Sequence, residues 1–139
     1  MPLTLSLTEA NRILSDQFAP WIVDLGLTVE DLDERRAVLR LPWSDRLARD
    51  GGGLSGQALM AAADTATVIA VSAARGAYGP MTTVQQSTSF QRVLRDTDVL
   101  VSAAVNKLGR RMAFADVTMT ADGSDTPSAT ASTLYALLD

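Results

Sequence analysis

Two hydrophobic periods follow one another along this chain, and the place where one gives way to the other sets the predicted architecture. In residues 8–18, Ala10, Ile13, Leu14 and Phe18 recur at near-helical spacing, with Thr8 as the expected N-cap and Pro20 as the stop. Residues 25–30 and 36–41 read as the strands of a hairpin joined by the acidic stretch 31–34. In the second strand Ala37, Leu39 and Leu41 alternate with Arg36, Val38 and Arg40. A loop over 47–53 ends in Asp50-Gly51-Gly52-Gly53. Residues 54–75 are then apolar nearly all round, the mark of a helix enclosed by the rest of the chain, and Gly76, Gly79 and Pro80 close it.

From Met81 the period is two. Residues 82–93, 98–107, 111–121 and 128–138 predict four consecutive antiparallel strands. Val99, Val101, Ala103 and Val105 share one face of their strand, as Ala113, Ala115, Val117 and Met119 do on the next. These elements predict one α+β domain over residues 1–139, with a long antiparallel sheet wrapped around one hydrophobic helix.

Composition narrows the chemistry. At 139 residues, 47% hydrophobic and 20% charged, the chain has the make-up of one ordinary globular domain. A net charge of −4 counts against nucleic acid as a partner. The chain has no Cys and no His. Ser-His-Asp and Cys-His nucleophiles and His- or Cys-ligated zinc are therefore excluded, and no cofactor is expected. Catalysis would fall to a carboxylate, a hydroxyl or backbone amides. Residues 54–74 are long enough to span a bilayer, but Asp64 at their centre would cost about 2.5–3.5 kcal/mol there, so a buried soluble helix and no membrane partner are expected. The first residues lack a basic stretch followed by an apolar run, so no secretory signal is expected and the predicted location is cytoplasmic.

Two features of the central helix carry candidate chemistry. Its start follows three glycines and reads Leu54-Ser55-Gly56-Gln57; unpaired amides and a positive dipole end there suit a developing oxyanion. The plainer reading makes Ser55 an N-cap after a flexible loop. The second feature is Asp64, the only charged residue between Asp50 and Arg75, and so either a general base or one half of a contact between subunits. Gly56 and Asp64 are eight residues apart, about 12 Å along a helix. They cannot serve one carbonyl within a chain, but two antiparallel helices across a two-fold axis would bring each Asp64 to the partner's helix start. The strand around Thr83 is polar on both faces, which suits a site lining, an interface or plain solvation. Arg110 and Arg111 in a predicted turn, with Arg92 and Lys107 nearby in the pattern, are candidates for holding phosphates. Trp21 and Trp43 are expected to pack in the interior.

These residues resemble the hotdog-fold acyl-CoA thioesterases of the PaaI-like, phenylacetate-degradation type, from about Pro20 to the C-terminus. Ser55-Gly56-Gln57 followed by Asp64-Thr65-Ala66 matches the spacing of that family's His-Gly-Gly and Asp-x-Ala. Thr83-Val84-Gln85 with Ser89-Phe90 resembles its following strand, and Lys107-Leu108-Gly109-Arg110-Arg111 its Gly-Arg turn. The resemblance implies hydrolysis of an acyl-CoA in a homodimer or a dimer of dimers. It implies Asp64 as base or nucleophile, the Gly56 amide of the other subunit as oxyanion donor, Thr83 beside the water, and Arg110 and Arg111 near the CoA phosphates. Ser55 and Gln57 stand where the family has His and Gly, and Arg49 or Asp50 falls where it often has Asn. Those departures motivate a second expectation, a hotdog protein that binds acyl-CoA or another acyl ligand without turning it over. A dehydratase on the same fold resembles His-carboxylate chemistry, which a chain without His lacks.

Overall fold

The computed structural model of the chain describes residues 4–138. Helix α1 is Leu7–Asp16, and its cap is Ser6 rather than Thr8. Ser6 and Glu9 satisfy each other's backbone amides at 3.0 Å in a reciprocal capping box, which outcompetes a lone threonine. Pro20, expected only as a stop, opens a second short helix, α2 (Pro20–Val23), because its missing N–H costs nothing at the first helical position.

Strands β1 (Thr28–Asp33) and β2 (Arg36–Leu41) form the predicted hairpin. The first strand lies further along the chain than its pattern suggested, running through the acidic residues to a turn at Glu34 and Arg35. Only Val29 of β1 is buried, so its side-chain pattern carried little positional information. After β2 the Trp43 amide donates to Asp98 at 2.8 Å, and the Arg40 guanidinium reaches the same carboxylate at 3.0 Å. The backbone amide first, then Arg40, hold the Asp98 carboxyl below the usual carboxylate range. This fixes the path of the loop toward the long helix.

That helix, α3, is Gly56–Arg75, and fourteen of its residues are buried. It ends where Gly76 adopts φ +88°, a left-handed conformation that glycine takes without strain. The remaining strands are β3 (Met81–Phe90), β4 (Val99–Leu108), β5 (Met112–Ala121) and β6 (Pro127–Leu137). The faces predicted for β4 and β5 are the buried ones, and both pack toward α3.

The order of strands corrects the expectation of four neighbours in sequence. The single antiparallel sheet runs β1-β2-β4-β5-β6-β3. A 20-residue helix covers about 30 Å, enough to carry the chain across the sheet, so β3 enters at the far edge and β4 takes the place beside β2. This is the hotdog arrangement, a sheet curled around one apolar helix, and alanines along α3 let the strands approach it closely. The α3 window long enough to cross a membrane is 78% buried inside this wrap.

The sheet has two unlike edges. At β1, the Asn11 side chain of α1 accepts from the Val29 amide at 2.9 Å and donates to the Val29 carbonyl at 3.2 Å. At the other edge β3, among the described residues, pairs only with β6; it carries no charged residue and exposes Val84 and Phe90.

Candidate functional site

The start of α3 is held by its loop. Leu54 N–H donates to the Leu94 carbonyl at 2.8 Å, and Ser55 N–H to the Leu47 carbonyl at 2.9 Å. The glycine turn before it closes through Arg49 N–H to the Gly53 carbonyl at 2.7 Å, with Gly51 and Gly52 at φ +93° and +89°. Both values demand glycine. The Arg49 guanidinium donates to the Asp50 carbonyl at 2.9 Å, and Arg95 to the Gly51 carbonyl at 2.5 Å, so both arginines brace this turn.

Ser55 is the N-cap. Its hydroxyl accepts from the Ala58 amide at 3.2 Å, which is the plainer of the two readings its position allowed. Gly56 faces the end of β3, where a Cβ would stand 3.3 Å from the Phe90 ring. Clefts open on either side of this terminus. Gly56, Arg49, Phe90 and Arg92 line one of about 330 Å³. Ser55, Gln57, Trp21 and Arg46 line another of about 300 Å³. Trp21, expected in the interior, is 61% exposed at the rim of the second, whereas Trp43 is half-buried against the core as predicted.

Asp64 is half-buried, and two hydroxyls converge on it. Thr83 of β3 donates to Oδ1 at 2.9 Å, and Tyr135 of β6 donates to the same oxygen at 2.5 Å. Thr83 and Tyr135 are cross-strand partners, so one register places both donors. Burial first, then the Asp64 charge, push the Tyr135 hydroxyl pKa far above its ordinary value. Tyr135 escaped the sequence reading. Its signal was a phenol on the inward, alternating face of the last strand, where a polar tip needs a partner.

Within the chain, Gly56 and Asp64 do not meet, as their spacing requires. They share a helix face with Met60, which lies midway and is 40% exposed. The Gln86 amide donates to the Met60 carbonyl at 3.2 Å, tying this stripe to β3. Arg110 and Arg111 lie at the β4–β5 turn, where the Arg111 carbonyl accepts from Leu137 N–H at 2.8 Å. Phe90, beside Gly56, pairs with Ala129 at the other end of β6, so these arginines and the Gly56 terminus occupy opposite ends of the sheet. Arg92 does not join them. Its amide donates to the Ser128 carbonyl at 3.0 Å, at the Gly56 end. Lys107 sits over the Phe114 ring at 5.9 Å.

The family model of the thioesterase superfamily matches residues 51–128, more than half of the chain. The chain belongs to this superfamily. The matched span contains the glycine turn, all of α3 and β3 to β5, and stops short of Tyr135. A solved structure from Silicibacter sp. TM1040, assigned as a candidate thioesterase, is 27% identical with a TM-score of 0.87, covering 99% of this chain and 94% of its own. Zebrafish thioesterase superfamily member 2 is 22% identical with a TM-score of 0.85, covering 96% and 99%. The Escherichia coli PaaI protein of the phenylacetic acid degradation operon is 17% identical with a TM-score of 0.80, covering 96% and 97%. The last two show likeness of fold. No curated protein sequence matches the chain.

Proposed function

We propose that this chain is a cytoplasmic acyl-CoA thioesterase whose two active sites lie between the subunits of a homodimer, alone or within a dimer of dimers. The observation that carries the reading is the stripe of Gly56, Met60 and Asp64 beside the unpaired, uncharged edge of β3. Met60 is about 6 Å along the helix from each of the other two, so a two-fold axis near it brings Gly56 of one helix toward Asp64 of an antiparallel partner. Pairing of β3 with β3 across the same axis satisfies the open edge. It also carries the partner's β4–β5 turn, with Arg110 and Arg111, to the end of the sheet where Gly56 stands.

The chemistry follows from those positions. As base, Asp64 removes a proton from water and the hydroxide attacks the thioester carbonyl. The partner's Gly56 amide then stabilises the oxyanion. Collapse expels the CoA thiolate, which takes up the proton held by Asp64, leaving the free acid and CoA. As nucleophile, Asp64 would instead attack the carbonyl and expel the CoA thiolate to form a mixed anhydride. Water hydrolyses it to the free acid, restoring the Asp64 carboxylate and supplying the proton that the thiolate takes up. Thr83 acts by holding Asp64 while its oxygen remains able to accept from the water. Ser55, Gln57, Arg49 and Asp50 contribute to substrate placement around the helix start.

One observation favours a second reading, binding of an acyl ligand without turnover. The Ser55 hydroxyl is engaged in capping α3, so it does not replace the imidazole that the family resemblance puts there. Thiol release from short, long and aromatic acyl-CoAs separates the two. Wild type is expected to turn over at least one substrate and Asp64→Ala to release thiol about a hundredfold or more slower. Absence of release by wild type from every substrate would leave the binding reading.

A further inference from the structure

Both donors on Asp64 use the same oxygen. Thr83 and Tyr135 converge on Oδ1, and among the described residues no hydrogen bond reaches Oδ2. The two donors come from neighbouring strands, β3 and β6, at positions that face each other in the sheet. α3 itself carries no other charged residue before Arg75. Two charge-assisted hydrogen bonds on one oxygen stabilise the charge there and restrict rotation of the carboxyl group. Its twin keeps its lone pairs and is not sealed from solvent, since among the described residues no buried side-chain oxygen lacks a partner.

We infer that Tyr135 is a positioning residue: with Thr83 it clamps Asp64 through Oδ1, so that Oδ2 alone is presented to substrate and water. This rests on the thioesterase reading for its consequence in turnover, but the clamp itself does not. Tyr135 is 3% exposed, so its hydroxyl meets the carboxylate away from bulk water, and the hydroxyl also lies 3.1 Å from the Asp64 main-chain carbonyl. The phenol thus registers side chain and helix backbone together. Burial first, then the neighbouring carboxylate, raise its pKa, so the phenol keeps its proton and stays a donor at neutral pH. The division of labour also gives Thr83 and Tyr135 separate places. Thr83 stands at the exposed edge strand and is replaceable in part by solvent, while Tyr135 is enclosed and is not.

Tyr135→Phe tests this, because phenylalanine fills the same volume and removes only the hydroxyl. In steady-state thiol release, kcat is expected to fall about tenfold or more with KM within about twofold of wild type. Independently of turnover, proton NMR of wild type should show a slowly exchanging, downfield hydroxyl proton. It should be absent in Tyr135→Phe and shifted upfield in Asp64→Asn. Tyr78 is 39% exposed, so its hydroxyl exchanges quickly and does not confuse the assignment. Side-chain couplings of Asp64 should report one rotamer in wild type and averaging in Tyr135→Phe. An unchanged kcat in an active enzyme, or an Asp64 that stays in one rotamer without the phenol, overturns the inference. A wild type that releases no thiol from any substrate would sink the thioesterase reading, and the NMR arms would still decide the clamp.

Discussion

The two edges of the sheet solve the same problem in opposite ways. Each edge strand leaves a row of backbone donors and acceptors that would pair with any passing strand. β1 is short, bulged after Val29, and carries Glu30, Asp31 and Asp33; Asn11 reaches from α1 to occupy both polar groups of Val29. β3 is ten residues long and uncharged; α3 touches it through Thr83 and Gln86, but among the described residues nothing pairs with its outer backbone edge. One edge is built to refuse a partner. The other is left open, the edge that the proposed dimer would close with a second copy, and it carries Thr83, lies against Asp64 and ends at Gly56.

That contrast can be broken from either side. The largest effect is expected at the open edge. Val84→Lys combined with Met60→Glu puts charge on β3 and on the helix stripe without touching the core, since both residues are exposed. Sedimentation should show monomer with an unchanged far-ultraviolet spectrum, and thiol release should fall about a hundredfold or more. A fully active monomer would sink the composite site. At the closed edge, Asn11→Ala leaves the buried Val29 amide and carbonyl without their partners. Denaturant unfolding should show a loss of about 1–3 kcal/mol, with aggregation appearing at concentrations where wild type stays clear. The smallest effect belongs to the helix start between them. Ser55→Ala removes one cap and should cost about 1 kcal/mol of stability. If its thiol release per folded molecule is unchanged, Ser55 is a cap alone; a fall well beyond the stability loss would give it a role at the substrate.

Much of the core was legible because its signals are local. Alternation along β4 and β5 named their buried faces correctly, since period two admits only one assignment once one face is apolar. The length and uniform apolarity of α3 marked it as enclosed. Capping was less legible. Thr8 looked adequate until Ser6 and Glu9 were seen to cap each other, and Pro20 could stop one helix or start another. β3 ends at Phe90 rather than at Val93, because Gln91 and Arg92 both turn their amides to the Ser128 carbonyl and leave the ladder.

The candidate site divides in the same way. Asp64 stood out because a lone charge in an apolar helix is costly unless it has work or a partner. Gly56 stood out because the turn before it is rich in glycine. Tyr135 did not, although its hydroxyl is the shorter of the two contacts to Asp64, because 71 residues separate them and nothing in an alternating strand says what lies opposite. Arg110, Arg111 and Arg92 looked like one basic group in the sequence, yet the direction of β6 sends them to opposite ends of the sheet.

The amino-acid sequence by itself determined the elements, the enclosed helix, the absence of thiol and imidazole side chains, and the lone carboxylate within that helix. These depend on residue type and short-range period. Tertiary structure alone decided that β3 would be an edge, that β6 would bring Tyr135 beneath Asp64, and that both hydroxyls would choose the same carboxylate oxygen. The reason is that a helix crossing the face of a sheet sets which strand lands at which edge, and pairing register then decides which side chains meet. Neither is written in any window of the sequence short enough to read.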